Sequence, residues 1–263
     1  MTDYQIMNPQ ASIPVVANVP HSSDFIPAEY LGDFSLDAEA MAREHAAIVD
    51  WFSDELFAPI WEFGGCGLIS GFSRLLVDTE RFADDAQEVM AARGIGVLYE
   101  RTTQLELLRM KPAPERREEL LRRYYEPYHA QLNSLVADTV ARFGRCILLD
   151  CHSFPEHSLP YELGQGGQRP DICLGTDPLH SPESLLNGLE EVTARFGWSC
   201  ARNAPFAGMV VPLQWYGDPR VTGAMLEVNR KLYMDEARTL PTQGVAQVRE
   251  WVSALMQSLH PQG

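Results

Sequence analysis

The chain is poor in paired cysteines, in basic residues and in long apolar runs. Its five cysteines are an odd number and include no CxxC pair, which argues against a disulfide framework and against a cysteine-rich zinc module. No apolar run approaches the ~20 residues that span a bilayer. Residues 1–4 have neither the basic start nor the apolar core of a secretory signal. We therefore predict a cytoplasmic protein with no membrane partner.

Basic residues are outnumbered by acidic ones, 21 against 36, and the formal net charge is -15. Because nucleic-acid binding requires Lys and Arg to neutralise phosphates, this balance predicts no nucleic-acid partner. A few arginines can still form a local positive pocket, so an anionic small substrate stays open. No internal repeat, low-complexity tract or interdomain linker is visible, and we expect residues 1–263 to form a single domain.

Short apolar segments alternate with longer helical ones along the chain. This pattern predicts an α/β fold with a mostly parallel mixed central sheet that is flanked by helices. The predicted strands are residues 13–20, 67–72, 146–149, 171–176 and 223–229, with an extended segment at 203–213. The predicted helices are residues 36–63, 114–143, 184–196 and 245–259, and residues 83–98 are expected to be rich in loops.

Two of the predicted strands run directly into a histidine, at His21 and at His152. Open α/β sheets bind their ligands at the carboxyl ends of strands, so the two histidines predict one site assembled from distant parts of the chain. The alternative is a pair of histidines that cap loops through hydrogen bonds. With a carboxylate, two histidines form the ligand set of many catalytic zinc sites. Asp24 and Asp50 are both candidates for that carboxylate.

Three further charged residues are candidates for chemistry. Arg74 and Arg81 flank a predicted strand end, where guanidinium groups could bind a substrate carboxylate. Alternatively, the two acids between them could take up both arginines in structural ion pairs. Glu227 lies among apolar neighbours, where burial raises a carboxyl pKa and suits it to general-base work. Its alternative role is an ion pair with Arg230.

Taken together, these motifs resemble the N-formylglutamate amidohydrolase family, which is related to zinc carboxypeptidases and aspartoacylases. The matching segments are spread along nearly the whole chain: residues 19–22, 26–27, 50–51 and 73–74 with Asp78 and Arg81, then 124–129, 149–153, 170–176, 203–208 and 226–236. The resemblance implies a zinc-carboxypeptidase/phosphorylase-like fold. It also implies a metal-dependent hydrolase that cleaves the amide of a small N-acyl, N-formyl-type acidic amino acid.

The resemblance also implies a metal site. By this analogy, His21, His152 and Asp50 would hold a divalent cation, with zinc expected first. Asp50 matches an acid that recurs in the family pattern. Asp24 is the alternative to Asp50, because it imitates the His-x-x-Glu spacing of the carboxypeptidase relatives. Histidine and carboxylate ligands also accept cobalt, manganese and iron.

The remaining roles implied by the resemblance concern catalysis and the substrate. Glu227 would be the general base acting on a metal-activated water, Arg74 would stabilise the oxyanion, and Arg81 and His129 would contact the small anionic substrate. One departure is Glu80, where the family usually has asparagine. Either Glu80 turns away into an ion pair or the protein takes a different acyl compound. A related deacylase or peptidase, or a non-catalytic small-molecule binding protein, is the alternative function.

Overall fold

A computed structural model describes residues 3–164 and 166–259 of the chain. Residues 1–2, 165 and 260–263 of the predicted 1–263 domain therefore lie outside the described residues. The described chain is built around one seven-stranded mixed sheet, with helices packed against both of its faces. This arrangement confirms the predicted fold class. No helix among the described residues is long and apolar enough to cross a membrane.

The strands, in chain order, are β1 (Tyr4–Met7), β2 (Val15–Val19), β3 (Cys66–Ser70), β4 (Cys146–Phe154), β5 (Ile172–Gly175), β6 (Cys200–Arg202), β7 (Val221–Asn229), β8 (Met234–Asp235) and β9 (Leu240–Pro241). The order across the main sheet is β1-β3-β2-β4-β7-β5-β6, and β8 pairs with β9 separately. Strands β3, β2, β4 and β7 are parallel. Strand β1 is antiparallel at one edge, and β5 is antiparallel to β7.

The helices are α1 (Ala38–Ile48), α2 (Ser53–Leu56), α3 (Pro59–Glu62), α4 (Pro114–Leu120), α5 (Glu126–Phe143), α6 (Glu183–Arg195) and α7 (Gly244–Leu259). A π-helical turn joins α4 to α5 at Leu121–Tyr125. Short 3-10 turns occupy Ala28–Asp33, Val89–Arg93, Leu213–Trp215 and Arg230–Leu232.

Both faces of the central strands are covered. Successive side chains of a strand point to opposite faces, so Val16 of β2 packs in the core beside α5, whereas Val19 packs in the core beneath α6 and α7. Trp251 of α7 is fully buried and donates from its indole nitrogen to the hydroxyl of Thr193 on α6 at 3.1 Å. Each fully buried Val or Leu contributes about 1.5–3 kcal/mol to the stability of the fold. Burial on both faces explains the continuous apolar runs of the sequence.

The predicted helix 36–63 is broken into three pieces, which corrects the prediction. After α1, Val49 is extended, and Phe52 has a left-handed backbone with φ of 64°. The backbone N–H of Asp50 instead donates to the carbonyl of His21 at 3.0 Å. The break therefore turns Asp50 towards the end of β2. Apolar periodicity does not reveal a buried acid whose partners lie on another element.

Two further segments differ from prediction. The predicted extended segment 203–213 is irregular after β6 ends. Pro205 and Pro212 lack the N–H that a strand ladder needs, and Gly208 has a positive φ of 89°. The predicted strand end at residues 74–81 is a turn. The N–H of Leu76 donates locally, to the carbonyl of residue 73, whereas the N–H of Asp78 donates to the carbonyl of Val97 at 2.9 Å.

Candidate active site

Strands β2 and β4 bring His21 and His152 to the same edge of the sheet. The two strands are parallel neighbours with Asn18 opposite Asp150, so the residues beyond them emerge side by side. Both histidine side chains are buried, and their ring centroids are 5.1 Å apart. The structure thus brings together the two histidines that lie 131 positions apart in the sequence.

Asp50 completes a buried cluster with these two histidines. Its Oδ2 lies 3.1 Å from Nδ1 of His152 and 3.7 Å from Nδ1 of His21. One ligand atom of each of the three residues lies within 4.8 Å of the others. Asp24, the alternative ligand, is exposed and belongs to neither group of described residues that could hold a metal ion. The geometry therefore favours Asp50 over Asp24.

Two carboxylates hold the far sides of the imidazole rings. Nε2 of His21 donates to Oδ1 of Asp78 at 2.8 Å, and Nε2 of His152 donates to Oδ1 of Asp150 at 3.2 Å. In the tautomer with the proton on Nε2, both Nδ1 atoms can accept a cation beside Asp50. Without a cation, Nδ1 of His152 is hydrogen-bonded to Oδ2 of Asp50 at 3.1 Å. Burial opposes protonation of His152, but Asp150 and Asp50 outweigh it and raise its pKa well above the usual range. Nδ1 of His21 is buried and has no hydrogen-bond partner among the described residues. In that tautomer, three acceptor atoms converge and could hold a metal ion.

The spacing and charge of this cluster fit a divalent ion. Ligands ~2.1 Å from a tetrahedral ion lie ~3.4 Å apart, a value between the two measured separations from Asp50. Burial opposes ionisation of Asp50, but the neighbouring rings of His152 and His21 outweigh it and lower its pKa. Asp50 therefore offers an anionic oxygen at neutral pH. Imidazole and carboxylate donors suit zinc and other first-row ions.

Asp78 is the centre of a buried network that reaches both candidate arginines. Its carboxylate accepts from Nη2 of Arg74 at 2.9 Å and from the hydroxyl of Tyr99, and it lies 4.0 Å from Nε of Arg81. Burial opposes ionisation, but Arg74 and His21 outweigh it and hold the pKa of Asp78 well below its usual range. Arg74 is thus in an ion pair. The side chain of Arg81, in contrast, has no hydrogen bond to a described residue.

Glu80 turns into the site. Its Oε1 accepts from Nδ2 of Asn18 at 2.8 Å, and its Oε2 lies 3.8 Å from Nε2 of His152. Burial and the neighbouring Asp150 raise the pKa of Glu80 well above its usual range. Of the two alternatives for Glu80, the one in which it turns away into an ion pair is therefore wrong. The reason is the amide of Asn18, which holds both Glu80 and Asp150 at 2.8 Å.

Glu227 lies beside the cluster because β4 and β7 pair in register. His152 is opposite Glu227 in that pairing, so their side chains leave the same face of the sheet. Glu227 is 7% exposed, and its Oε2 has no hydrogen-bond partner among the described residues. Burial raises the pKa of Glu227 to about 8. Arg230, its alternative partner, donates instead to the carbonyls of Ala47 and Val49.

His129 supports the segment that carries Arg81. Its Nε2 donates to the carbonyl of Thr79 at 2.9 Å, and its ring stacks on Tyr125 with centroids 4.2 Å apart. The hydroxyl of Tyr125 donates to the carbonyl of Arg81 at 3.0 Å. Burial lowers the pKa of His129, which keeps the ring neutral. The start of α5 thus holds residues 79–81 in place beside the site.

One cavity of about 900 Å³ joins the site, and this volume is within the range of small-molecule sites. Its lining includes His21, Asp50, Arg74, Glu80, Arg81, His129, His152 and Glu227. We call the group His21, Asp50, His152 and Glu227 the buried end of the cavity. A second group of lining residues is exposed to solvent, and we call it the exposed wall: it consists of Phe82, Leu213 and Tyr216, which are 53%, 86% and 54% exposed.

Sequence reasoning assigned no role to Asp150 and Asn18. Asp150 lies two positions before His152 on β4, and residues i and i+2 of a strand point to one face. That spacing was the available signal for a histidine–carboxylate pair. Asn18 gave no such signal, because its partners come from other elements: Tyr128 of α5 donates to its Oδ1 at 2.6 Å. Asp78 was considered as a motif residue and as an ion-pair partner of the arginines, but its contact with His21 was not predicted.

The fold and this cluster define an α/β protein with a candidate metal centre at the carboxyl edge of its parallel strands. The model of the N-formylglutamate amidohydrolase family matches residues 13–234. A curated N-formylglutamate deformylase of Pseudomonas aeruginosa is 31% identical over 233 residues, which are 85% of this chain and 83% of that protein. The chain therefore belongs to the N-formylglutamate amidohydrolase family, and the resemblance found in its motifs is confirmed.

Solved structures show the same fold. A crystal structure of an N-formylglutamate amidohydrolase from Ralstonia eutropha superposes with a TM-score of 0.84 at 24% identity, covering 98% of this chain and 97% of that one. A gene product of Agrobacterium tumefaciens superposes with a TM-score of 0.73 at 18% identity, covering 98% and 96%. The sheet order and helix placement described above are thus shared with proteins of low sequence identity.

Proposed function

We propose that this protein hydrolyses the formyl amide of an N-formyl amino acid in a metal-dependent reaction. The observation that carries the proposal is the convergence of His21, Asp50 and His152 on one point, with the unpaired carboxyl of Glu227 in the same cavity. Membership of the family supports the formyl amide as the bond that is cleaved. The products would be formate and a free amino acid.

The proposed metal ligands are Nδ1 of His21, Oδ2 of Asp50 and Nδ1 of His152, and the proposed ion is zinc. Their support is structural, because Nδ1 of His21 is a buried nitrogen without a partner among the described residues. When bound, a divalent cation polarises a carbonyl group and acidifies water. Asp78 and Asp150 would keep both rings in the tautomer that the ion requires.

Glu227 is proposed as the general base. It would accept a proton from the attacking water as the water oxygen bonds to the formyl carbon, and then pass that proton to the leaving nitrogen as the C–N bond breaks. Its free Oε2 and the absence of an ion pair with Arg230 leave it able to do so. Its raised pKa, caused by burial, brings it near the pH at which a base works best.

The two arginines are proposed to contact different parts of the substrate, Arg74 the developing oxyanion and Arg81 a carboxylate. Arg74 uses Nε and Nη2 on Asp78 and Tyr99, which leaves Nη1 to donate to the developing oxyanion. Arg81, supported from behind by the contacts of His129 and Tyr125, would bind a substrate carboxylate through its unused guanidinium nitrogens. A fixed guanidinium holds the substrate close to the base.

The test combines metal content with formate release from N-formyl amino acids. We expect the purified protein to bind one divalent ion per chain and to release formate only when it is loaded. His21→Ala and His152→Ala should each lose the ion, whereas Asp24→Asn, the matched control at an exposed acid, should retain it. Unchanged metal content in both histidine variants would refute the ligand assignment. A loaded protein that releases no formate would favour a non-catalytic binding protein.

A further inference from the structure

The cavity is large for a formylated amino acid. Its volume of about 900 Å³ lies near the upper end of the ~300–1,000 Å³ range for sites that take drug-sized ligands. Away from the buried end its walls are largely apolar and aromatic, and they include Phe82, Phe206, Val211, Leu213 and Tyr216. A substrate with a short polar side chain would leave this part of the cavity unfilled.

Permanent positive charge in the cavity is scarce. Among the described lining residues, only three arginines carry it. Arg74 is committed to Asp78 and Tyr99. Arg230 is committed to two backbone carbonyls of residues 47–49 at 2.8 and 2.7 Å. Neither guanidinium is free to bind a carboxylate in the bidentate manner that makes such contacts strong.

Arg81 is the one remaining guanidinium on that lining. Its Nε is buried without a hydrogen-bond partner among the described residues, and its nearest acid is Asp78, 4.0 Å away. Asp78 meets His21 through Oδ1 and faces Arg81 through Oδ2. The carboxyl group of Asp78 therefore lies between Arg81 and His21 of the proposed metal-binding cluster. A carboxylate bound there would be close to the scissile amide, as the α-carboxylate of an amino acid is.

Beyond Arg81, no described residue of the lining offers a free guanidinium or ammonium group to a second substrate carboxylate. The other ionisable groups on the lining outside the cluster include Glu88 and Asp177, which are acids. Like charges repel, so Glu88 and Asp177 select against an anionic side chain on the substrate.

We infer that the preferred substrate is an N-formyl amino acid with a single carboxylate, held by Arg81, and a bulky uncharged side chain that packs against the apolar part of the cavity. This inference rests on the proposed function and names the substrate class of the same site. N-formylglutamate, after which the relative of Pseudomonas aeruginosa is named, carries the second carboxylate and is therefore the reference compound.

The test compares kcat/KM of the metal-loaded protein for N-formylleucine, N-formylphenylalanine, N-formylglutamine and N-formylglutamate. Glutamine is the decisive probe, because it matches glutamate in size and lacks only the charge. We expect each neutral compound to exceed N-formylglutamate by at least about tenfold. Equal or better turnover of N-formylglutamate would overturn the inference and leave the proposed function standing.

If none of the four compounds is hydrolysed, the proposed function fails. The inference is then decided by binding: calorimetric titration of the metal-loaded protein should show tighter binding of N-formylleucine than of N-formylglutamate. The opposite order would overturn it.

A second experiment tests the role of Arg81 with N-formylleucine amide, which lacks the α-carboxylate. The wild type should use the amide about 10- to 100-fold less well than N-formylleucine, because a charge-assisted contact is lost. In Arg81→Gln the two compounds should become equal. Arg220→Gln, at an exposed arginine paired with Asp218, should keep the wild-type difference. A difference that persists in Arg81→Gln would show that another group binds the α-carboxylate.

Discussion

At the buried end of the cavity, His21 is 1% exposed and donates to Asp78, which is itself held by Arg74 and Tyr99. On the exposed wall of the same cavity, Leu213 is 86% exposed and lies in a 3-10 turn whose cap has no side-chain hydrogen bond. The two regions face one substrate space, yet the buried end is packed and its histidines are held by carboxylates, whereas the exposed wall is largely open to solvent.

The difference indicates that the buried end carries out the chemistry and that the exposed wall selects among substrate side chains. Chemistry requires groups held to within a fraction of an ångström, and such precision comes from packed and hydrogen-bonded supports. Selection among side chains of similar type requires only apolar surface of the right extent. Substitutions at the buried end should therefore reduce metal binding or kcat, whereas substitutions on the exposed wall should change only the relative use of substrates.

The largest expected effect comes from the proposed base. Glu227→Gln keeps the size of the side chain and removes its ability to accept a proton. We expect kcat to fall by about 10²–10⁴-fold, with metal content unchanged, because Glu227 is not among the proposed ligands. Formate release and metal analysis on the same sample measure both quantities. A loss of less than tenfold would mean that another group accepts the proton.

A smaller effect is expected from the support of the metal site. Asp78→Asn removes the charge that orients His21, and such supporting contacts are worth about 10- to 100-fold in metal affinity. Competition with a chelator of known affinity measures the change. Asp218→Asn is the control, because that acid forms an exposed ion pair with Arg220, and exposed pairs contribute little. Equal metal affinity in both variants would contradict the orienting role of Asp78.

The pH profile should report the same base. Only the deprotonated carboxylate of Glu227 accepts a proton, so kcat/KM should fall tenfold per pH unit below its pKa. Burial raises that pKa from 4.5 to about 8 in the metal-free protein, and a bound cation would lower it again by favouring the charged form. We therefore expect the acid limb between these two values. A profile that is flat down to pH 4.5 would show that Glu227 is not the base.

The smallest effect is expected on the exposed wall. Leu213→Ala removes apolar surface from a side chain that is 86% exposed, so KM for N-formylleucine should rise by only about twofold. The value of kcat should stay unchanged, because no proposed ligand or base contacts this turn. A parallel measurement with Leu179→Ala, an exposed leucine outside the cavity lining, gives the baseline. A fall in kcat for Leu213→Ala would remove the distinction between the two regions.

Much of the fold could be predicted from apolar pattern alone. The run before Asp150 and the run around Leu226 became β4 and β7, because strands covered on both faces are apolar throughout. The predicted helix 36–63 was wrong in being continuous, since it breaks after Ile48 at a turn where Asp50 contacts His21 and His152. The spacing of apolar residues along the sequence cannot predict tertiary contacts of this kind.

Only part of the candidate site could be predicted from the sequence. His21 and His152 stood out because each follows an apolar run, and their convergence follows from the parallel pairing of β2 with β4. The commitment of Arg74 and the freedom of Arg81 could not be predicted, because both flank the same turn and only the fold decides which of them Asp78 binds. The inward turn of Glu80 likewise depends on the distant amide of Asn18.

The most direct test of the metal site is anomalous diffraction from a crystal of the protein soaked with Zn²⁺. We expect one strong peak within ~2.0–2.2 Å of Nδ1 of His21, Oδ2 of Asp50 and Nδ1 of His152. A peak that instead lies against the second group, Glu80 and Asp150 with Nε2 of His152, or no peak in the cavity at all, would contradict the assignment.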